Sequence, residues 1–117
     1  MRDDRERLMD ILEAIEAVDR YASKGRGVFD TNELVQTWII HHVEIIGEAG
    51  RALSDQFRTM HPEINWSGII GARNVLIHHY FGIDRDVVWK VVQTDIPVLK
   101  RQIEAILNTQ PGQADVS

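Results

Sequence analysis

The sequence predicts an all-α protein, built as an antiparallel up-and-down bundle of four to five helices. Apolar residues recur at spacings of three and four along most of the chain, and short breaks rich in glycine, proline or polar residues separate these periodic segments. Almost no segment shows the apolar–polar alternation of a strand. A chain of 117 residues suits one domain with a modest core. We place this domain at residues 1–108 and a flexible tail at residues 109–117.

The first periodic segment predicts a helix from about Asp4 to Ala22. The stretch from Lys24 to Gly27 contains two glycines and should break this helix. The apolar residues of the segment share one helix face. These residues are Leu8, Ile11, Leu12, Ile15 and Val18.

The second helix should begin at a cap between Asp30 and Glu33 and reach about Phe57. Asp30 with Glu33 three residues later resembles a capping box. One apolar stripe contains Leu34, Trp38, Ile45, Ala49 and Leu53. A second stripe, on another side, contains Ile39, Val43 and Ile46. A helix with two apolar sides is buried on both, so the second stripe indicates either a subunit interface or the central helix of the bundle.

A third, shorter helix should run from Trp66 to about Tyr80. Pro62 disfavours helix immediately before it, so the preceding segment is a connector. Asn65 has the side chain to cap the first turn.

The last helix should begin after a cap at Asp84 and reach about Asn108. Pro97 lies inside the periodic pattern, and it should kink the helix or divide it in two, because proline lacks the backbone N–H. The core stripe of this helix consists of Val88, Val91, Val92, Ile96, Leu99, Ile103 and Ile106.

Composition narrows the class of protein. The chain contains no cysteine, so neither a disulfide framework nor a thiolate zinc site is available. The formal net charge of −5 is unfavourable for a protein that coats duplex DNA. No apolar run approaches the roughly 20 residues that span a bilayer, and the charged N-terminus does not resemble a secretory signal. We therefore expect a cytoplasmic location.

The third helix carries the best candidates for chemistry. At roughly 100° per residue, Arg73, Asn74, His78 and Tyr80 fall on one broad arc. The helix therefore presents a guanidinium, an amide, an imidazole and a phenol together. On geometry alone, an ordinary exposed histidine near a helix C-terminus, where positive charge is favourable, is the simpler interpretation of His78.

The opposite arc of the third helix should face the core. It contains Ala72, Val75 and Leu76, which are apolar. His79 falls on this core side, so we interpret it as a packing residue and leave open whether it supports catalysis.

Such an arc suits RNA cleavage without a metal. Histidine titrates near neutral pH, so His78 is suited to remove the proton from a 2′-hydroxyl that attacks the adjacent phosphorus. Arg73 offers a planar fork of donors to the phosphate, and Asn74 could bind the phosphate or orient the imidazole. One helix supplies few groups, so two copies that meet in a dimer would make a more complete site.

The spacing Arg73-x(4)-His78-x-Tyr80 resembles the signature of the HepT family within the HEPN superfamily. The resemblance covers roughly Leu8 to Leu107, and the motif is specific because several further segments agree. These segments are Ile46-Gly47-Glu48-Ala49, Trp66, Gly71-Ala72-Arg73-Asn74, and Asp84 with Val88 and Trp89.

The resemblance implies a helical-bundle homodimer that acts as the toxin of a type VII-like toxin–antitoxin pair. It implies RNA cleavage without metal or other cofactor at a dimer cleft, with Arg73, His78 and Asn74 as catalytic residues and transfer RNA among the candidate substrates. The implied partner is a minimal nucleotidyltransferase antitoxin of the MntA type. This antitoxin would silence the toxin by transferring AMP to Tyr80, and the anionic adduct would block the RNA and pair with Arg73.

Other polar constellations are weaker. His41, His42 and Glu44 lack the His-Glu-x-x-His spacing that places two imidazoles on one face, so we predict no metal site. Glu44 and Glu48 are one turn apart and have the pattern of a solvated pair. Glu48 is nevertheless a candidate to support the site by orienting Arg73.

Two further features of the second helix need an explanation. Arg51 and Arg58 could form a basic rim, although salt bridges to Asp55 and its neighbours are the simpler interpretation. Gly47 and Gly50 lie inside a helical pattern, where each costs about 1 kcal/mol relative to alanine. Close packing of another helix would account for them.

Two alternative functions remain open. The protein could be a non-catalytic, nucleotide-binding partner subunit of a nucleotidyltransferase, with the polar arc holding a phosphate. It could also be a helical interaction module, a reading that rests only on the acidic charge and the apolar stripes.

Overall fold

The computed structural model describes residues 3–77 and 84–109, and for residues 73–77 it describes the helical backbone alone. Every regular element within these ranges is helical, as predicted. In chain order the elements are α1 (Asp4–Ala22), α2 (Arg26–Thr31), α3 (Glu33–Ala52), α4 (Asp55–Met60), α5 (Trp66–Ile77), α6 (Arg85–Lys90), a π-helical turn (Val91–Asp95) and α7 (Ile96–Thr109).

Helix α1 has the predicted bounds and presents the predicted face to the core. Asp3 caps it, because its carboxylate accepts a hydrogen bond of 2.8 Å from the Glu6 N–H. Among the predicted stripe residues, Leu12 is half-buried and the others are buried. The buried members are Leu8, Ile11, Ile15 and Val18.

Helix α2 stands where the sequence predicted only a break. Gly25 does end the preceding segment, with a φ of 99° that favours glycine. The next six residues nevertheless form a helix. Asp30 lies inside it and pairs with Arg26 at 3.0 Å, so the predicted capping role of Asp30 was wrong. The cap of α3 is Asn32, whose side-chain oxygen accepts from the backbone N–H groups of Leu34 and Val35 at 3.0 and 3.1 Å.

Helix α3 is the central helix of the bundle. It packs on α1 and on α5, and its second apolar stripe is buried in the chain's own core, with Ile39 at 0%, Val43 at 4% and Ile46 at 3% exposure. The interpretation of that stripe as a subunit interface was therefore wrong. Leu34 was assigned to the first apolar stripe, but it is not buried, because 81% of its surface is exposed.

The second predicted helix is two helices. Helix α3 ends at Ala52, and Ser54 caps the short α4 by accepting from the Phe57 N–H at 3.1 Å. Asp4 at the start of α1 binds both the N–H and the hydroxyl of Ser54, at 2.9 and 2.6 Å. These contacts fix the start of α4 against the start of α1.

The last segment divides before Pro97, as predicted. Asp84 caps α6 by accepting from the Val87 N–H at 3.2 Å. A π-helical turn from Val91 to Asp95 follows, in which the Ile96 N–H reaches back to the Val91 carbonyl. A wide turn lets the chain pass the position where proline cannot donate. The stripe that runs through this segment is buried except at Val91, which is half-buried.

The core lies between α1, α3 and the last segment, and α7 closes it against α1. Phe29 of α2 is fully buried and stacks on Trp89 of α6, with ring centroids 5.3 Å apart. Among the described residues, no helix has both the length and the apolar character needed to cross a bilayer. The proposed tail, apart from Thr109, and the predicted end of α5 at Tyr80 lie outside the described residues.

Candidate active site

Helix α5 carries the first two positions of the predicted site, Arg73 and Asn74, and its start is fixed by two contacts. The Asn65 side chain accepts from the Gly68 N–H at 3.1 Å, which confirms the predicted cap. The Trp66 indole N–H donates to the His61 carbonyl at 3.0 Å, and its ring is largely buried. The connector before α5 and the first turn of α5 therefore form one ordered unit.

Helix α5 packs closely on α3 at Gly50. A Cβ added at position 50 would lie 3.5 Å from Ile69 Cγ2, 3.9 Å from Ile70 Cγ1 and 4.0 Å from Trp66 Cε3. The prediction that another helix packs over this glycine is therefore confirmed. Gly47 lies one turn earlier in α3 and is also buried.

The positions of the motif divide between two sides of α5. Position 73 follows Trp66, Ile69 and Ile70 by seven, four and three residues, so it continues the row on which α5 contacts α3. Position 74 lies about 100° further round the helix. Positions 73 and 74 therefore lie on different sides of the α5 backbone.

The other catalytic candidates are not placed by the structure. His78, His79 and Tyr80 lie outside the described residues. Arg73 and Asn74 are described as consecutive backbone positions of α5. The described chain therefore gives the scaffold of the motif, and the roles of these five residues remain predictions.

A cavity of about 210 Å³ lies on the side of α5 that faces the last segment. Ile69 and Ala72 of α5 line it together with Val43 and Ile46 of α3. Ala72 is half-buried there, which agrees with its predicted core-facing position. The packing surface of α5 thus extends from this cavity to the contact with α3, and it is wider than the predicted core arc.

A groove between α4 and α5 lies on the remaining side of α5. Its described lining includes Arg58 and Thr59 from α4, and Ser67 and Gly71 from α5. Arg58 forms an ion pair of 2.5 Å with Asp55, which confirms the simpler interpretation of this arginine. Its Nε–H is buried without a hydrogen-bond partner among the described residues.

A second groove runs between α1 and α3, and Glu44, Glu48 and His41 lie on its walls. The His42 Nδ1 lies 2.8 Å from the Trp38 carbonyl, so it donates its proton there, because a carbonyl only accepts. The two rings stack with centroids 4.4 Å apart. No group of three or more metal-ligating side chains occurs in residues 3–77 and 84–109.

A polar clamp joins α2 to the start of α6, and the sequence analysis missed it. Arg26 binds Asp30 and Asp86, and Arg85 donates to the Asp30 carbonyl at 2.9 Å. The hydrogen bond from Arg26 holds the pKa of the Asp86 carboxyl below its usual range. Hydrogen bonds to Asp86 and Asp30 in turn raise the pKa of Arg26. The i,i+4 spacing of Arg26 and Asp30 was the available signal.

The described residues form a small all-α domain in which α5, with positions 73 and 74 on its backbone, packs over a glycine of the central helix α3. The family model for HepT-like ribonucleases matches residues 11–106. The chain belongs to the HepT-like ribonuclease family. Membership in this family supports a ribonuclease function.

Two archaeal relatives cover nearly the whole chain. "Putative RNase MJ1380" of Methanocaldococcus jannaschii is 38% identical over 106 residues, which are 90% of this chain and 97% of the relative. "Probable ribonuclease HepT" of Thermococcus cleftensis is 39% identical over 106 residues, which are 90% of this chain and 96% of the relative. No solved structure matches the chain at a significant level.

Proposed function

We propose that the protein is an endoribonuclease toxin that cleaves RNA without a metal at the cleft of a homodimer. The observation that carries the proposal is the Arg73-x(4)-His78-x-Tyr80 motif inside a family match that spans residues 11–106. The packing of α5 over Gly50 supports it, since a site needs a rigid supporting element.

In the proposed reaction, His78 removes the proton from a ribose 2′-hydroxyl. The 2′-oxygen then attacks the adjacent phosphorus, the bond to the 5′-oxygen breaks, and a 2′,3′-cyclic phosphate forms. The guanidinium of Arg73 stabilises the charge that develops on the phosphate, and Asn74 binds the phosphate or orients the imidazole. The leaving 5′-oxygen takes a proton from a general acid.

A dimer supplies the second half of this chemistry. One copy of the motif offers a single imidazole, whereas the reaction uses both a base and an acid. The His78 side chains of two subunits, facing each other across a cleft, could divide these two tasks. We propose a supporting role for His79. Glu48 lies in the groove between α1 and α3, away from the side of α3 that contacts α5, so the proposed orientation of Arg73 by Glu48 would occur between subunits.

The partner in the proposed biology is a minimal nucleotidyltransferase of the MntA type, which transfers AMP to Tyr80. Position 80 follows position 73 by seven residues, so the two would share a face if the helix continued to residue 80. An anionic adduct on Tyr80 would then occupy the cation that binds the RNA phosphate. The toxin would be active and silenced in the cytoplasm, with transfer RNA as a candidate substrate.

The decisive experiment incubates the purified protein with total RNA and with transfer RNA in the presence of a metal chelator. We expect cleavage by the wild type and a loss of at least about 10²-fold in rate for His78→Ala. Circular dichroism checks that the variant is folded. His79→Ala and Glu48→Ala test the supporting residues, and each should lower the cleavage rate less than His78→Ala does.

A folded His78→Ala variant that keeps full activity would overturn the catalytic assignment. Tight nucleotide binding without any RNA cleavage by the wild type would instead favour a non-catalytic partner subunit of a nucleotidyltransferase.

A further inference from the structure

Three glycines of α3 and α5 differ in what surrounds them. A glycine inside a helix is destabilising relative to alanine, so each one needs a reason. At Gly50 an added Cβ would make ordinary van der Waals contact with α5, so the approach of α5 excludes only larger side chains. At Gly68 an added Cβ would lie 2.3 Å from the Asn65 Nδ2, so the capping side chain of Asn65 fills that space.

Gly71 has no such reason within the described part of the chain. It lies in the interior of α5, and a Cβ added there would meet no described atom within 4 Å. Its backbone φ is not in the region that favours glycine. Packing and backbone conformation would therefore both accept a side chain at this position.

The bare backbone at Gly71 faces the groove between α4 and α5. Ser67 lies one turn before Gly71 and also lines this groove. Position 74 comes three residues after Gly71, on the same side of the helix. Position 78 lies about 10 Å further along the axis if the helix continues. If the helix continued to residue 78, the groove and the proposed cleavage site would be neighbours on one helix face.

We propose that this groove is a binding site for the RNA backbone beyond the cleaved bond, with Gly71 kept small so that the strand can lie against α5. This proposal rests on the proposed ribonuclease function. It extends that function, because a groove that binds the strand would make the enzyme prefer RNA longer than the two nucleotides that flank the cleaved bond.

The polar lining of the groove fits a sugar–phosphate strand. Thr59 and Ser67 carry hydroxyls, and Arg58 carries a half-buried guanidinium. Asp55, which binds the Nη2 of Arg58, is 95% exposed and can turn into solvent. A phosphate oxygen could then replace its carboxylate as the partner of Arg58.

A second copy of the chain is the other conceivable occupant. Interfaces between permanent subunits resemble a protein core and are mainly apolar. The apolar residues of this groove are Trp66, which is buried, and Ile70, which is half-buried against α3. The hydroxyls, the ion pair and the bare helix backbone favour RNA over a subunit contact.

The test compares two substrates, a dinucleotide and a single-stranded RNA of 12 nucleotides cleaved at one site. The variants are Gly71→Ala, Gly71→Leu and Arg58→Gln. Gly27→Leu is the matched control, because Gly27 is also helical, also has open space around an added Cβ, and lies in α2. Circular dichroism and thermal unfolding establish that each variant is folded.

For Gly71→Leu we expect kcat/KM on the long RNA to fall at least tenfold, mainly through KM, while the rate on the dinucleotide stays within twofold of the wild type. Gly71→Ala should have a smaller effect in the same direction, and Gly27→Leu none. Equal rates of wild type and Gly71→Leu on the long RNA would overturn the proposal.

A loss on both substrates, together with dissociation of the dimer in sedimentation experiments, would also overturn it and would assign the groove to a second copy. Fluorescence anisotropy with a 2′-O-methyl RNA of the same length measures binding independently of cleavage. If the wild type cleaves nothing, the proposed function fails. Weaker binding by Gly71→Leu would then still support the groove, and unchanged binding would refute it.

Discussion

Helices α3 and α5 are both apolar on more than one side, yet their surroundings differ. Most apolar residues of α3 are covered by α1, by α5 and by the core of the same chain, although Trp38 and Ile45 are half-buried beside the groove between α1 and α3, and Leu34 is exposed. Helix α5 contacts α3 on one side, borders a cavity on the next and opens onto a groove on the third. The central helix is thus explained mainly by its own chain, whereas the proposed function needs one side of α5 for another molecule.

The two helices also use glycine differently. Gly50 of α3 lets a neighbouring helix approach, and its substitution should affect folding. Gly71 of α5 has no described neighbour, and its substitution should affect binding. The following predictions test this contrast through stability, beginning with the largest expected effect.

The largest stability effect should come from Ile39→Ala in α3. Ile39 is fully buried between α3 and its neighbours, so the truncation should lower the free energy of unfolding by about 2–5 kcal/mol. Chemical denaturation measures the change. Leu34→Ala on the same helix is the control, and it should change stability by no more than about 0.5 kcal/mol because Leu34 is exposed. Equal effects of the two substitutions would contradict the assignment of α3 as a central helix.

A smaller effect is expected for Gly50→Leu. The added Cβ alone would make an ordinary contact with Ile69, but the rest of a leucine side chain must push α5 away. The free energy of unfolding should fall by about 1–3 kcal/mol, as for other overpacked sites. Thermal unfolding of Gly50→Leu and Gly71→Leu, measured side by side, sharpens the comparison. The contrast fails if Gly71→Leu is the more destabilising of the two.

The smallest effect concerns the clamp between α2 and α6. The pKa of Asp86 is lowered in the folded protein by the hydrogen bond from Arg26. A carboxyl group whose pKa is lowered by folding contributes to stability at pH values above its unfolded-state pKa. This contribution is lost as the pH falls through its folded-state pKa. The free energy of unfolding should therefore fall slightly less steeply with decreasing pH for Asp86→Asn than for the wild type. Identical titrations would show that the clamp has no energetic weight, as is common for exposed pairs.

The sequence predicted the elements whose signals are local. The bounds of α1 and the caps at Asn65 and Asp84 follow from side chains that bond to the backbone within three residues. Helix α2 was missed because two glycines at its start indicate a break. Its stability comes from distant contacts, namely the burial of Phe29 and the hydrogen bond of 2.8 Å from Gln36 to the Phe29 carbonyl.

The candidate site was predicted from the motif, and the roles of its residues stay predictions. Helical angles predicted which motif residues share an arc, because those angles depend on the backbone alone. They could not identify which helix lies against that arc. The contact of α5 with α3 at Gly50 depends on the tertiary arrangement, which local periodicity does not contain.

The π-helical turn from Val91 to Asp95 has a consequence for chain length. A π turn holds one more residue than the α-helical turn that it replaces, so it is equivalent to a single-residue insertion inside the last helical segment. We expect relatives without a proline at the position of Pro97 not to need that extra residue. Alignments with such relatives should therefore open a one-residue gap between residues 91 and 95. A variant in which one residue of this turn is deleted and Pro97 is replaced should keep the same residues of α7 buried.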